Sequence, residues 1–182
     1  MPVTVTNLLM GPAEVWTAPF GTAEAANAAT ALPTGWEDTG GTMGGSRLVV
    51  NQTYTPMRVD QNAQRVGSRL TEQDSSVATS WAEATLKNLR AAMNVAQPGT
   101  ETNTLGIKGE ISNSEPLYRA VCLVGQKPGG GNRRIYIRRA LSTESIELAF
   151  TKDGQTVIPV TFMSHFVSNT VDAIFIDDRP AA

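Results

Sequence analysis

Residues 117–165 read LYRAVCLVGQKPGGGNRRIYIRRALSTESIELAFTKDGQTVIPVTFMSH, and this stretch decides the fold. Apolar and β-branched runs alternate with turn residues, the pattern of successive antiparallel strands. Leu117 to Val124 is the first run, closed by Gly125, Pro128 and Gly129 to Gly131. Arg133 to Leu141 follows, then Ser145 to Phe150. Asp153-Gly154 is a hairpin signal, with Val157 to His165 as its second arm. In that arm Ile158, Val160 and Phe162 share one face, and Val157, Pro159 and Thr161 the other. A proline inside the run places the arm towards a sheet edge.

Working outward, Val171 to Ile176 adds a last strand before the polar Asp177-Asp178-Arg179 tail. Upstream, Ala13 to Ala18 is a short strand closed by Pro19, Phe20 and Gly21. Thr22 to Ala31 is Ala-rich without an apolar stripe and reads as a surface loop stopped by Pro33. Trp36 to Thr39 runs into a turn cluster of Gly40, Gly41, Gly44 and Gly45, and Arg47 to Thr55 is again a strand. One helix is expected over about residues 80–96. Ser80 and Glu83 form a capping box, Ala82, Leu86, Leu89 and Met93 recur at helical spacing, and Pro98-Gly99 lies beyond the end. The expectation is a mainly β chain, a β-sandwich or open barrel with one packed α-helix and extended arms, forming a single domain over 1–182.

Composition narrows the function. The 182 residues carry 17 acidic and 15 basic side chains, one Cys and one His, for a formal charge of −2. Cys122 alone excludes an internal disulfide framework and a Cys-cluster metal site, and with His165 the only histidine a zinc ion would need mostly carboxylates. There is no Lys or Arg before Arg47, so a signal-peptide n-region is missing, and no apolar run nears the roughly 18 residues that span a bilayer. A charge of −2 argues against general affinity for polyanions.

Asn51 to Ser76 does not behave like part of a self-sufficient monomer. Among its 26 residues only Tyr54, Met57, Val59, Ala63, Val66 and Leu70 are apolar, and from Gly67 to Ser76 neither parity is consistently apolar. Two readings stay open, a mobile surface loop or a hairpin that lies on another subunit. Met1 to Pro12 is a second arm or a frayed terminus.

Catalytic signals are sparse. Ser164 and His165 point to opposite faces of a strand and cannot pair, so His165 reads as structural. Cys122, flanked by Val121 and Leu123, reads as a buried, inert thiol. Gly125 to Asn132 holds Lys127 but lacks the Gly-Lys-Ser/Thr order, so it reads as a hairpin tip. Arg134, Tyr136 and Arg138 share one strand face with Ile135 and Ile137 on the core side. That face supports an alternative function, a β-sandwich binding module for nucleic acid or virion decoration, against an outward face whose arginines pair with acids. No catalytic, metal or cofactor-binding residue is assigned.

The order of features resembles the major tail tube proteins of long-tailed, siphovirus-like bacteriophages. Glu14 to Thr22 (EVWTAPFGT) resembles that family's opening strand and turn, and Leu32 to Gly40 (LPTGWEDTG) its Trp-x-x-x-Gly step. The polar segment followed by Trp81 to Leu89 (WAEATLKNL) resembles its strand-into-helix unit, and Pro159 to Phe162 its closing Pro-Val-Thr-Phe. The resemblance implies a non-enzymatic virion protein, assembled in the host cytoplasm. It implies hexameric rings stacked into a tube through which genomic DNA passes unbound. It further implies tape-measure, tail terminator and distal tail proteins as partners, with neither membrane nor cofactor. Residues 51–76 would be the inter-ring hairpin, with Tyr54, Met57, Val59, Val66 and Leu70 on the inter-subunit arm. Glu72 and Asp74 would be lumen or interface acids, and six chains at −2 each carry −12 around a ring.

Overall fold

In the computed structural model, which describes residues 8, 11–96, 103–107, 115–150 and 152–180, the 117–165 stretch supplies the centre of one antiparallel sheet. Strands β5 (Arg119–Gln126) and β6 (Asn132–Ser142) pair along their length around the Gly-rich tip. On the N-terminal side lie β1 (Glu14–Pro19) and the two-residue β2 (Glu37–Asp38). On the other side come β7 (Ile158–Ser164), β4 (Asn62–Trp81) and β3 (Arg47–Val59). The order is β2-β1-β5-β6-β7-β4-β3, with β8 (Ile174–Asp177) on β6 beside β7. The sheet curls, and residues 39–43 bridge its gap. Thr39 N donates to Val15 O (3.0 Å), Met43 N to Ser80 O (2.9 Å) and Ala82 N to Gly41 O (2.8 Å). The result is a mainly β open barrel with one helix.

Strand alternation gives each sheet face its own core. Val15, Val77, Trp81, Val121, Leu123, Ile137, Ile158, Val160 and Phe162 fill the inner face with Leu89, Ala91 and Ala92 of the helix. Ala18, Ala120, Cys122 and Tyr136 lie on the outer face under Trp36. The Thr22–Ala31 segment has no helix or strand, but it covers this outer face, with Ala25 and Ala28 buried and Ala28 N bonded to Arg179 O (3.1 Å). Small side chains let it lie close, so it is a cover and not a free surface loop.

Three further expectations are corrected. Helix α1 spans only Leu86–Ala92 and does not begin at Ser80. Ser80 and Trp81 remain in β4, paired with Pro159 and Ile158, because Trp81 is fully buried against Phe162. Burial of the indole overrides the local capping signal. The N-cap is Thr85, whose hydroxyl accepts from Asn88 N, while Glu83 Oε1 accepts from Gly41 N (3.1 Å). Pro98-Gly99 lies outside the described residues.

Ser145 to Phe150 is not a strand, although Ile146 and Leu148 pack on the inner core. Both edges of β7 are already used, by β4 over Ser76–Trp81 and by Ala140–Ser142 of β6. Asp153-Gly154 therefore sits in the β6–β7 connection. The third correction concerns Pro159, which lies inside the sheet and not at its edge. It faces Ser80, whose carbonyl is turned to Met43, and β6 meets β7 only from Phe162 onward, so the missing N–H removes no ladder bond.

Candidate functional site

Strands β3 and β4 pair from Arg47↔Ala78 to Val59↔Asn62 around a turn at Asp60-Gln61. Strand β7 supports β4 only over Ser76–Trp81, so among the described residues the hairpin beyond Ser75 has no other strand beside it. About ten residues at roughly 3.3 Å each carry the ribbon some 30 Å from the barrel. Asn51 to Ser76 is thus a paired hairpin and not a structureless loop.

One irregularity organises this ribbon. Thr53 pairs with Glu72 and Tyr54 with Leu70, leaving Thr71 as an extra residue in β4. Thr71 Oγ1 donates to Thr53 O (3.1 Å). The bulge reverses the parity of β4, so the face that carries Val77 and Ser75 at odd positions continues at Leu70 and Ser68, and by strand alternation at Val66. Leu48, Val50, Gln52, Tyr54 and Pro56 of β3 join that face, with the Tyr54 hydroxyl donating to Gln52 Oε1 (2.9 Å). It is the barrel's inner face continued outward. The uniform parity test between Gly67 and Ser76 fails because the phase changes inside the window.

The sequence-derived arm residues therefore divide. Tyr54, Val66 and Leu70 share the apolar face, exposed by 53%, 58% and 42%. Met57 lies on the opposite face across Gly67, and Val59 sits next to the turn beyond a second irregularity. Glu72 and Asp74 are brought together on the Met57 face, opposite Thr53 and Asn51.

Arg134, Tyr136 and Arg138 share a face as read from the sequence, but that face is covered. Arg134 and Tyr136 are buried. Arg134 donates to the carbonyls of Asn27 (2.9 Å) and Thr30. Tyr136 packs edge-on to Trp36 (5.7 Å) and stacks on Phe175 (6.4 Å). Arg138 binds Glu24 Oε2 (2.9 Å) and Asp172 O (2.7 Å), with its guanidinium over Phe175. The arginines hold the 22–31 cover in place and present no stripe to a nucleic acid, which overturns the alternative binding-module face.

Cys122 is fully buried, and burial pushes its thiol up to about 12. The His165 ring lies 3.1 Å from Met163 O and edge-on to Tyr118 at 5.1 Å. The Gly-rich tip is closed by Lys127 N to Gly131 O (3.0 Å), and Lys127 Nζ reaches Asp178 O (3.0 Å). Arg179 beside Asp177 and Arg133 beside Asp178 hold both carboxyls below their usual range. Among the described residues no three His, Cys, Asp or Glu side chains converge as a metal site, and no helix is long and apolar enough to cross a membrane.

A family model described as phage tail tube protein matches residues 6–181. The chain belongs to the phage tail tube protein family. As a tail tube protein it is a structural component of a phage tail and not an enzyme. No curated protein matches its sequence. A solved structure described as "Crystal structure of Hcp protein" is 14% identical, covering 93% of this chain and 100% of that one. Its TM-score of 0.31 is too low to argue from.

Proposed function

We propose that this tail tube protein assembles into hexameric rings stacked as a hollow tube that conducts the phage genome, with the β3–β4 ribbon joining one copy to another. The observation that carries the proposal is the ribbon's uncovered apolar face, where Val50, Tyr54, Val66 and Leu70 are 42–58% exposed. A two-stranded hairpin alone in water is marginally stable, and an apolar face gains most from being covered. A second copy of the chain supplies that cover, consistent with tail tube family membership. The opposite face, with Asn51, Thr53, Glu72 and Asp74, then borders the lumen or the next interface.

The tape-measure, terminator and distal tail proteins, assembly in the host cytoplasm, and an N-terminal arm over 1–12 belong to the same proposal; most of 1–12 lies outside the described residues. The test is negative-stain microscopy of the concentrated protein beside a variant with a shortened ribbon. Replacing Tyr54–Thr71 by a two-residue Asn-Gly turn removes both strands together and leaves Thr53 opposite Glu72. Wild type is expected to form ordered tubes and the shortened chain to stay folded without them. Wild-type protein that stays monomeric at every concentration, or a shortened chain that still stacks, overturns the proposal.

A further inference from the structure

The bulge that gathers the apolar side chains also sorts the charges. Once Thr71 is passed over, the other face of β4 presents Arg69, and by strand alternation Arg65, towards the tip, with Glu72 and Asp74 towards the barrel. All four are exposed. Among the described residues the ion pairs are Arg133–Asp178, Arg138–Glu24, Arg139–Glu115 and Arg179–Asp177, and none of the four ribbon charges takes part. One face of one strand thus carries two cations, then two anions. Their centres lie about 15–20 Å apart along the strand. Near the turn, Arg58 and Asp60 offset one another and leave the tip basic.

A surface with segregated charge is complementary to a copy of itself shifted along the same axis. For ribbons that run in the same direction, it is not complementary to a copy in perfect register, where like charges meet. We propose that neighbouring copies engage their ribbons with an axial offset that sets Arg65 and Arg69 of one subunit against Glu72 and Asp74 of the next. This rests on the ribbon being the contact between copies. It adds the element that fixes the stagger, because an apolar face alone tolerates sliding. With ribbons running in the same direction the offset contact is heterologous, so it propagates instead of closing on a pair. Exposed pairs of this kind are individually weak, and they act here by repetition around and along an assembly.

The experiment is a charge-reversal complementation in the full-length chain. Arg65→Glu with Arg69→Glu leaves four acids on the face, and Glu72→Arg with Asp74→Arg leaves four cations. Each variant alone is expected to melt like wild type but form no tubes in low-salt buffer, by sedimentation and negative stain. An equimolar mixture of the two is expected to recover tubes. Wild-type assembly is also expected to weaken as sodium chloride is raised from about 0.1 M to 1 M, where the Debye length falls from about 10 Å to 3 Å. Either variant assembling alone like wild type overturns the offset pairing, as does failure of the mixture. Arginines kept for DNA phosphates would give the first of those results. Failure of wild type itself to form tubes counts against the proposed function and not against this pairing.

Discussion

Replacing Val66 and Leu70 together by serine is expected to separate assembly from folding. Both side chains sit on the uncovered face of the ribbon, with 58% and 42% of their surface still in water. Full burial of a Val or Leu side chain is worth about 1.5–3 kcal/mol, so about half of that remains to be gained by each when a neighbour covers it. The pair then contributes roughly 1.5–3 kcal/mol per subunit contact, which corresponds to a rise of about 10- to 150-fold in the concentration needed for assembly. Within the free subunit the two residues belong to neither core cluster, so the melting midpoint stays near wild type, as for exposed substitutions generally. Pelleting across a concentration series, with a thermal melt on the same samples, reads both quantities. Tubes at the wild-type threshold would refute the reasoning. A melt lowered by many degrees would equally refute it, by showing that the ribbon face is covered within the subunit.

Arg134→Ala is expected to destabilise the fold by about 1–3 kcal/mol, because the Asn27 and Thr30 carbonyls lose a buried donor. Trp36 lies over Tyr136 in the same layer, so its fluorescence should report the loosened cover, and an unchanged melt and spectrum would contradict the account. Asp177 and Asp178 are expected to contribute to the acid limit of stability. Their carboxyls are held low by hydrogen bonds from Arg179 and Arg133, so the stabilisation is complete above the unfolded carboxylate range near pH 4 and is lost as pH falls through the lower folded values. Asp177→Asn with Asp178→Asn should flatten the melting temperature against pH below about 4, and a slope as steep as that of wild type would exclude these carboxylates.

Much of the barrel was legible because its central strands alternate regularly from Val121 to Gln126 and from Asn132 to Ile137. Over that stretch each odd or even position keeps one face, so Val121, Leu123 and Ile137 on one side and Cys122 and Tyr136 on the other follow from counting, whereas the irregularity opposite Arg119–Val121 returns Ala140 to the inner face. The errors lie where two local rules compete, or where a distant segment intervenes. Ser80 and Glu83 satisfy the helix-start pattern, but they flank Trp81, whose burial against Phe162 holds the chain in β4. The Arg134 face reads as solvent-exposed from its own strand. Only the 22–31 segment, more than a hundred residues away in sequence, makes it interior.

The ribbon is the most instructive case. Its residues look patternless because a single extra threonine changes the phase midway, and no propensity marks Thr71 as a bulge. With the phase corrected, one strand serves two surfaces. Val66 and Leu70 extend the barrel's inner face, while Arg65, Arg69, Glu72 and Asp74 stand on the reverse. The barrel's own charges are largely consumed in holding its cover and tail, as Arg134, Arg138, Asp177 and Asp178 show. Among the described residues, Arg65, Arg69, Glu72 and Asp74 on the ribbon take part in none of those ion pairs. A chain with only 18% charged residues has few side chains with which to specify a contact, and here four of them occupy one strand face beyond the barrel. In the proposed assembly of this tail tube protein, that distribution would put attraction on one side of the ribbon and register on the other.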